Sequence, residues 1–250
     1  SNASPIFLIG SVGVAMLGNI KYGFILLIAN YLSPLIIGFF TKKNTHEFNN
    51  SNEYPLKTGG SYNFGVIIKT SIENAINTTL QVGAFVIIFS IIIGIIKNSS
   101  LINIIFNNIE KVLSLSPNSL YGIFLGSIEY TNGCKILTSI SSSIIFKLSA
   151  ISFICSFSGL SIIGQISSFT GKFNISLKKY SFIKFIQGII SFTITFIFSS
   201  ILISTETTSS SLYIHSYYNT NKIVLFIYAL LLLPLMGKLI NTLFKKLHIS

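Results

Sequence analysis

The chain has 250 residues, half of them hydrophobic and only 9% charged, with 17 Lys and Arg against 6 Asp and Glu for a net charge of +11. An ordinary soluble domain is roughly 25% charged, so the composition excludes a water-solvated globule and indicates a protein whose solvent is lipid. The basic residues are all Lys and fall mostly in gaps between apolar runs, which reads as membrane topology; nucleic acid, which needs a basic stripe with exposed aromatics, is not an expected partner.

The opening SNASPIFLIG has no basic n-region and no cleavage site after an apolar core, so it is not read as a signal peptide. The chain is read instead as a fragment that begins partway through a larger membrane protein. A membrane-crossing helix needs about 20 apolar residues, and residues 20–40, 79–96, 181–203 and 222–244 meet that requirement. The runs at 5–17, 118–129, 136–149 and 150–170 are too short or too interrupted by Pro, Gly, Ser and Asn for simple spans. Irregular backbone at membrane depth is tolerated only where protein buries it or a watery cavity receives it.

In chain order, the 41–62 loop carries Lys42, Lys43 and Lys57 and is expected on the cytoplasmic side. From residue 64 a long helix begins amphipathically, with Lys69, Glu73, Asn77 and Gln81 forming a polar stripe read as a solvated face. Residues 101–113 place Leu101, Ile102, Ile105, Phe106, Ile109, Val112 and Leu113 on one arc, with Asn103, Asn107, Glu110 and Lys111 opposite. That pattern predicts a helix lying along the outer interface. A hairpin over 118–149 and a broken helix around CSFSGLSIIGQISSF follow. The 171–184 loop, with Lys172, Lys178, Lys179 and Lys184, is expected inside, as is the end of the chain with Lys245 and Lys246. The 204–221 connection has no Lys and is expected outside.

The stretches SPIFLIGSV (4–12) and SGLSIIGQI (158–166) share a Ser, apolar residues and a Gly followed by a polar residue. Each precedes a further Gly, Gly18 or Gly171, and then a span. The span after the first copy ends at Lys42 and Lys43, whereas the span after the second starts at Lys179 and Lys184, so the copies run in opposite directions. Inverted repeats with broken helices near the midplane characterise secondary transporters. The expected fold is all-α: a polytopic membrane protein with broken helices, a re-entrant hairpin and an inverted-repeat transporter architecture.

Glu129, in GSIEYTNGCK, is expected at the tip of the hairpin. An ionised carboxylate at membrane depth usually lines a pathway; the alternative is that it pairs with Lys135 and ties the hairpin together. The Asn132-Gly133 pair suits a tight reversal, and the helix start that follows offers N–H groups to an anion. Lys135 either adds positive charge for a dicarboxylate or snorkels to the interface. Ser158, Ser161 and Gln165 fall where a broken helix unwinds and either bind polar ligand edges or bond to their own backbone. Asn2 and Ser4 are their counterparts in the first copy. The candidate substrate-binding residues are therefore Glu129, Thr131, Asn132, Lys135, Ser158, Ser161, Gln165, Asn2 and Ser4. Cys134 and Cys155 read as buried thiols, and His46, His215 and His248 as solvated loop residues without metal-ligand spacing. No phosphate-binding G-x-x-x-x-G-K-[ST] loop occurs, so ATP-driven transport would need another subunit. No metal, cofactor or enzymatic activity is expected.

The order of elements from residue 64 resembles the gate, or nucleoside-recognition, domain shared by concentrative nucleoside transporters and related permeases. Within that superfamily SNASPIFLIGSVGVAMLGN, GSIEYTNGCK and SGLSIIGQISSF are most similar to the sporulation integral membrane protein YlbJ/SpoVV family, over roughly residues 1–203. The resemblance implies a transporter of a small planar anion such as dipicolinate, in a bacterial cell membrane, with the outer forespore membrane among the candidates. It also implies that a further re-entrant hairpin and helices precede the segment at 5–17. The organisation it suggests is the end of a first repeat (1–41), a cytoplasmic loop (42–63), a gate-like second repeat (64–203), and an external loop with a C-terminal span (204–250). The expected partners are the bilayer, an anionic substrate and a second copy of the chain. A cation-coupled nucleoside permease and a non-transporting scaffold in spore assembly are the alternatives.

Overall fold

In the computed structural model, which describes residues 2–41, 63–170 and 176–208, every regular element is helical. Four helical stretches are long and apolar enough to cross a membrane: Ile20–Phe39, Phe64–Asn98, Ile144–Ser168 and Leu177–Ile203. The expected spans at 20–40, 79–96 and 181–203 match three of these. The expected span at 222–244, the 41–62 loop beyond Thr41, the 204–221 connection beyond Thr208, the residues Lys172, Lys245 and Lys246, and the three histidines lie outside the described residues; residues 204–208 of that connection are helical, in continuation of Leu177–Thr208.

Ile6–Met16 winds as a π-helix, and the Leu17 N–H reaches back five residues to Val12 O at 3.0 Å. Gly18, at φ +69°, reverses the chain, and Asn19 Oδ1 accepts from the Lys21 N–H at 2.9 Å where α1 (Ile20–Thr41) begins. α1 contains Pro34, which has no N–H to give the Asn30 carbonyl four residues back. The Ser33 hydroxyl donates to that carbonyl instead, at 3.3 Å. This local substitution lets a proline sit within an apolar helix without an orphaned backbone oxygen.

α2 (Phe64–Asn98) starts at Asn63, whose Oδ1 accepts from the Gly65 N–H at 3.1 Å. At about 1.5 Å per residue, its 35 residues exceed a bilayer core. Its first half carries the predicted polar stripe, with Lys69 Nζ 3.8 Å from Glu73 Oε1, both exposed. α3 (Ser100–Val112) has the expected amphipathic pattern, and Phe106 on it packs against Tyr121 and Phe124 of α4 (Ser119–Ile128). One residue departs from the expectation: Glu110, read as part of a polar outer face, is buried at 2% exposure.

α4 and α5 (Tyr130–Ser139) form a hairpin of two ten-residue helices. Their axes approach through glycine: a Cβ on Gly133 would overlap the Gly126 Cα, and one on Gly122 would lie 3.0 Å from Leu137. The π-helix and α1 meet in the same manner, with Gly13 against Gly23. α6 (Ile144–Phe157) and α7 (Gly159–Thr170) then form one span interrupted at Ser158. This corrects the expectation that the runs at 136–149 and 150–170 are too interrupted to cross. Only Ser158 (φ +73°) and Gly159 (φ +76°) leave the right-handed region, and the Ser158 N–H still bonds to Ile154 O at 2.9 Å. The helical path therefore resumes at once.

α8 (Leu177–Thr208) runs antiparallel to α6. Ser152 meets Ser191 (Oγ to Oγ, 2.6 Å) and Thr195 (2.7 Å), while Phe157, further along α6, meets Phe185, nearer the start of α8. Small side chains dominate this seam, as where helices associate in lipid by close packing and short hydrogen bonds. Cys134 and Cys155 are buried free thiols with their sulfurs 3.7 Å apart, joining α5 to α6.

The glycine contact in the hairpin gives a direct test. Gly133→Ala must displace backbone and is expected to destabilise the detergent-solubilised protein by about 1–3 kcal/mol. Gly83→Ala, on an open face with nothing within 4 Å of the new Cβ, should be neutral or stabilising by up to about 1 kcal/mol. Equal melting temperatures for the two variants would contradict the close hairpin.

Candidate functional site at the meeting of two helix breaks

Each half of the hairpin begins on a glutamate. Glu110 accepts from the N–H groups of Asn118 (2.8 Å), Leu120 (2.8 Å) and Tyr121 (3.1 Å), capping the first turn of α4 from eight to eleven residues upstream. Glu129 is the N-cap of α5. It accepts from the backbone N–H groups of Thr131 and Asn132, each at 2.9 Å, from Thr131 Oγ1 at 2.5 Å and from Asn132 Nδ2 at 2.9 Å. Both carboxylates sit against the positive end of a helix dipole, where a negative charge is stabilised.

This geometry removes one alternative and corrects one expectation. Lys135 is exposed and makes no ion pair with Glu129, because one helical turn carries it away from the tip. The start of α5 is also not open to an anion, since Glu129 already fills it. The cation beside the tip is Lys97, at the end of α2, whose Nζ donates to Asn132 Oδ1 at 3.1 Å. Asn132 thus relays between a lysine on one element and a carboxylate on another.

The tip meets both other breaks in the chain. A Cβ on Gly159 would lie 3.0 Å from Ile128 O and 3.3 Å from Gly126 O, so the start of α7 abuts the end of α4. On the other side of Glu129, the Tyr130 ring packs edge-on against Phe7 in the first turn of the π-helix, centroids 5.0 Å apart. Ser158 and Ser161 are buried at this junction, and Gln165 follows Ser161 by one turn of α7. Ser4 caps the π-helix, its Oγ accepting from the Phe7 N–H at 3.2 Å.

Asn2 is drawn to a different element. Its Oδ1 accepts from Gln187 Nε2 at 2.9 Å and from Lys184 Nζ at 3.3 Å, and Lys184 also donates to Gln187 Oε1 at 2.9 Å. Lys184 is 3% exposed; it is an interior residue of α8 and not, as expected, part of a cytoplasmic loop. It shares a helical turn with Phe185, which packs on Phe157 just before the break at Ser158. Asn30 Nδ2 donates to Ser156 Oγ at 3.0 Å on the same side of that break, and Asn30 Oδ1 is buried with no partner among the described residues.

Of the nine expected residues, Glu129, Thr131 and Asn132 form one bonded group, with Ser158, Ser161 and Gln165 on the break that abuts it. Ser4 and Asn2 lie at the start of the π-helix. Lys97, Glu110, Lys184 and Gln187 escaped the sequence reading. The signal for the last two was available, because a Lys and a Gln three residues apart within SFIKFIQGII fall on one face of an apolar helix. No group of three His, Cys, Asp or Glu able to hold a metal occurs among the described residues.

Glu129→Ala leaves two backbone donors and two side chains without their acceptor and is expected to lower stability by about 1–3 kcal/mol. Lys135→Met should change it little, and the double variant should be no more stable than Glu129→Ala alone. Rescue by the second substitution in thermal unfolding would restore the ion-pair reading.

No family model matches the chain, and no solved structure matches it. Among curated proteins it is similar to the sporulation integral membrane protein YlbJ of Bacillus subtilis (strain 168), at 22% identity over 209 residues, which cover 76% of this chain and 51% of that protein. The chain thus spans about half the length of the curated relative it matches. Taken with its apolar spans, this likeness identifies the chain as a polytopic bacterial membrane protein related to the sporulation integral membrane protein YlbJ/SpoVV family.

Proposed function

We propose that the chain is the gate-like part of a permease that moves a small polar anion across a membrane during sporulation. The observation that carries this reading is the meeting of three helix starts, those of the π-helix, α5 and α7, around the tip at Ile128–Tyr130. Non-helical backbone inside an apolar bundle is accepted where it is buried or faces a water-filled path, and helix breaks near the midplane are where secondary transporters bind their cargo. The ten-residue helices of the hairpin, about 15 Å each, suit a re-entrant element because neither reaches across a core of about 30 Å.

The inverted-repeat reading belongs to the same proposal. The segments at 5–17 and 158–170 each start beside the hairpin tip, and each is followed by a long apolar helix, α1 and α8. The division into 1–41, 42–63, 64–203 and 204–250 follows from it. The anionic class and dipicolinate as its type come from the resemblance, with Lys97 and Lys184 as nearby positive charge; the outer forespore membrane and a homo-oligomeric state come from the same source. One observation favours the alternative of a non-transporting scaffold: all four donors around Glu129 come from its own helix and leave the carboxylate a structural task.

Ser158→Gly separates the two. Glycine accepts the left-handed backbone at this position without strain, so the fold should be retained while the hydroxyl is lost. In liposomes containing the full-length protein, uptake of dipicolinate is expected to exceed that of nucleosides, and the Ser158→Gly variant should lose about tenfold in uptake at unchanged melting temperature. Absence of uptake for dipicolinate, simple dicarboxylates and nucleosides alike would favour the scaffold, and preferential nucleoside uptake would favour the nucleoside permease.

A further inference from the structure

A lysine inside a membrane-spanning helix is costly and is kept where it pairs or serves a pathway. Lys184 and Gln187 lie one turn apart on α8 and are 3% and 4% exposed. Both direct a donor to the same atom: Lys184 Nζ is 3.3 Å and Gln187 Nε2 is 2.9 Å from Asn2 Oδ1. The second bond between them, Lys184 Nζ to Gln187 Oε1 at 2.9 Å, fixes which way the glutamine amide faces and leaves its NH2 group turned to that shared oxygen. Asn2, unlike its two donors, is exposed, and it stands just ahead of the π-helix.

An ammonium and an amide N–H converging on one oxygen match a carboxylate better than a neutral amide, because charge-assisted hydrogen bonds are roughly twice as strong as neutral ones. We propose that Lys184 and Gln187 form a binding subsite for the carboxylate of a small organic acid, with Asn2 Oδ1 standing where a ligand oxygen would sit. Asn2 is then a displaceable lid. An incoming carboxylate replaces its amide oxygen on both donors and exchanges a neutral acceptor for a charged one; the exposed Asn2 side chain turns away while Ala3, 4% exposed, stays packed in the core. The subsite takes its place in transport from the permease reading, while binding itself does not require it.

The lid gives an outcome that a merely structural cluster does not, because removing Asn2 should improve binding. In the full-length protein in detergent, pyridine-2,6-dicarboxylate and succinate are titrated separately against the melting temperature. Lys184→Gln should raise the half-saturating concentration at least about tenfold, or 1.4 kcal/mol. Asn2→Ala should lower it at least about threefold, because two hydrogen bonds to a neutral amide are no longer displaced. If Lys184→Gln fails to fold, Gln187→Leu and Asn2→Ala carry the comparison, with weaker and tighter binding expected. Unchanged affinity in Lys184→Gln, weaker binding in Asn2→Ala, or no stabilisation of the wild type by either acid overturns the subsite. Liposome uptake keeps the two proposals apart. Binding with this pattern but no uptake retires the permease and leaves the subsite, whereas uptake indifferent to Lys184→Gln and Asn2→Ala retires the subsite and leaves the permease.

Discussion

The capping of short helices by glutamate is the interaction on which the rest of this structure depends. In lipid, the unpaired N–H groups at a helix start find no water, and each one left unsatisfied costs about 1–3 kcal/mol. A hairpin of two ten-residue helices concentrates that problem, because its helix starts are as numerous as its turns. Glu110 and Glu129 solve it at the two ends, and together they account for two of the six acidic residues in the chain. With the hairpin fixed in this way, its tip becomes the surface against which the π-helix and α7 begin.

The surrounding helices divide by how they are held. α6 and α8 are joined along a seam of Ser152, Phe153, Gly188, Ser191 and Thr195, where hydroxyls and a glycine bring backbones close. The hairpin and the π-helix with α1 are held by facing glycines. α2 is different: it packs apolar side chains such as Phe89 and Ile93 toward the hairpin while most of its surface faces outward, and its Lys97 is tied to the tip through Asn132. The polar groups around the junction are thus supplied by four separate elements, an arrangement in which small relative movements alter the junction without dismantling either helix pair.

Much of this was legible in the sequence, and the limits have physical causes. Long apolar runs announce themselves because a single helix must satisfy its whole lipid-facing length, which is why α1, α2 and α8 were found. The amphipathic arc of α3 was found for a similar reason, since periodicity is a local property. Capping by Glu110 was not, because the donors lie eight to eleven residues downstream and only the fold of the intervening turn brings them back. The alternative pairing of Glu129 with Lys135 rested on charge and left out the nearer backbone: N–H groups two and three residues ahead compete better than an ammonium six residues ahead on the far side of a turn. Lys184 was assigned to a loop because lysines mark membrane boundaries on average, whereas this one is buried among amides. The break at Ser158 was legible as a broken helix around CSFSGLSIIGQISSF, but that its two halves make one span was not, because Ser and Gly at membrane depth do not say in sequence how soon the helix resumes.

The central claim is that the start of the π-helix and the tip of the hairpin, remote in sequence, form one junction. It is tested most directly by placing cysteines at Phe7 and Tyr130, whose rings are 5.0 Å apart, in a full-length protein with Cys134 and Cys155 changed to Ala and a protease site inserted between residues 42 and 62. A short, reducible bis-thiol-reactive cross-linker applied in native membranes, used because contact between aromatic rings does not fix their Cβ atoms at disulfide distance, should after proteolysis leave the two fragments joined until a reductant is added. Fragments that separate without reductant, after cross-linking shown to be complete on a control pair, would contradict the junction and the account built on it.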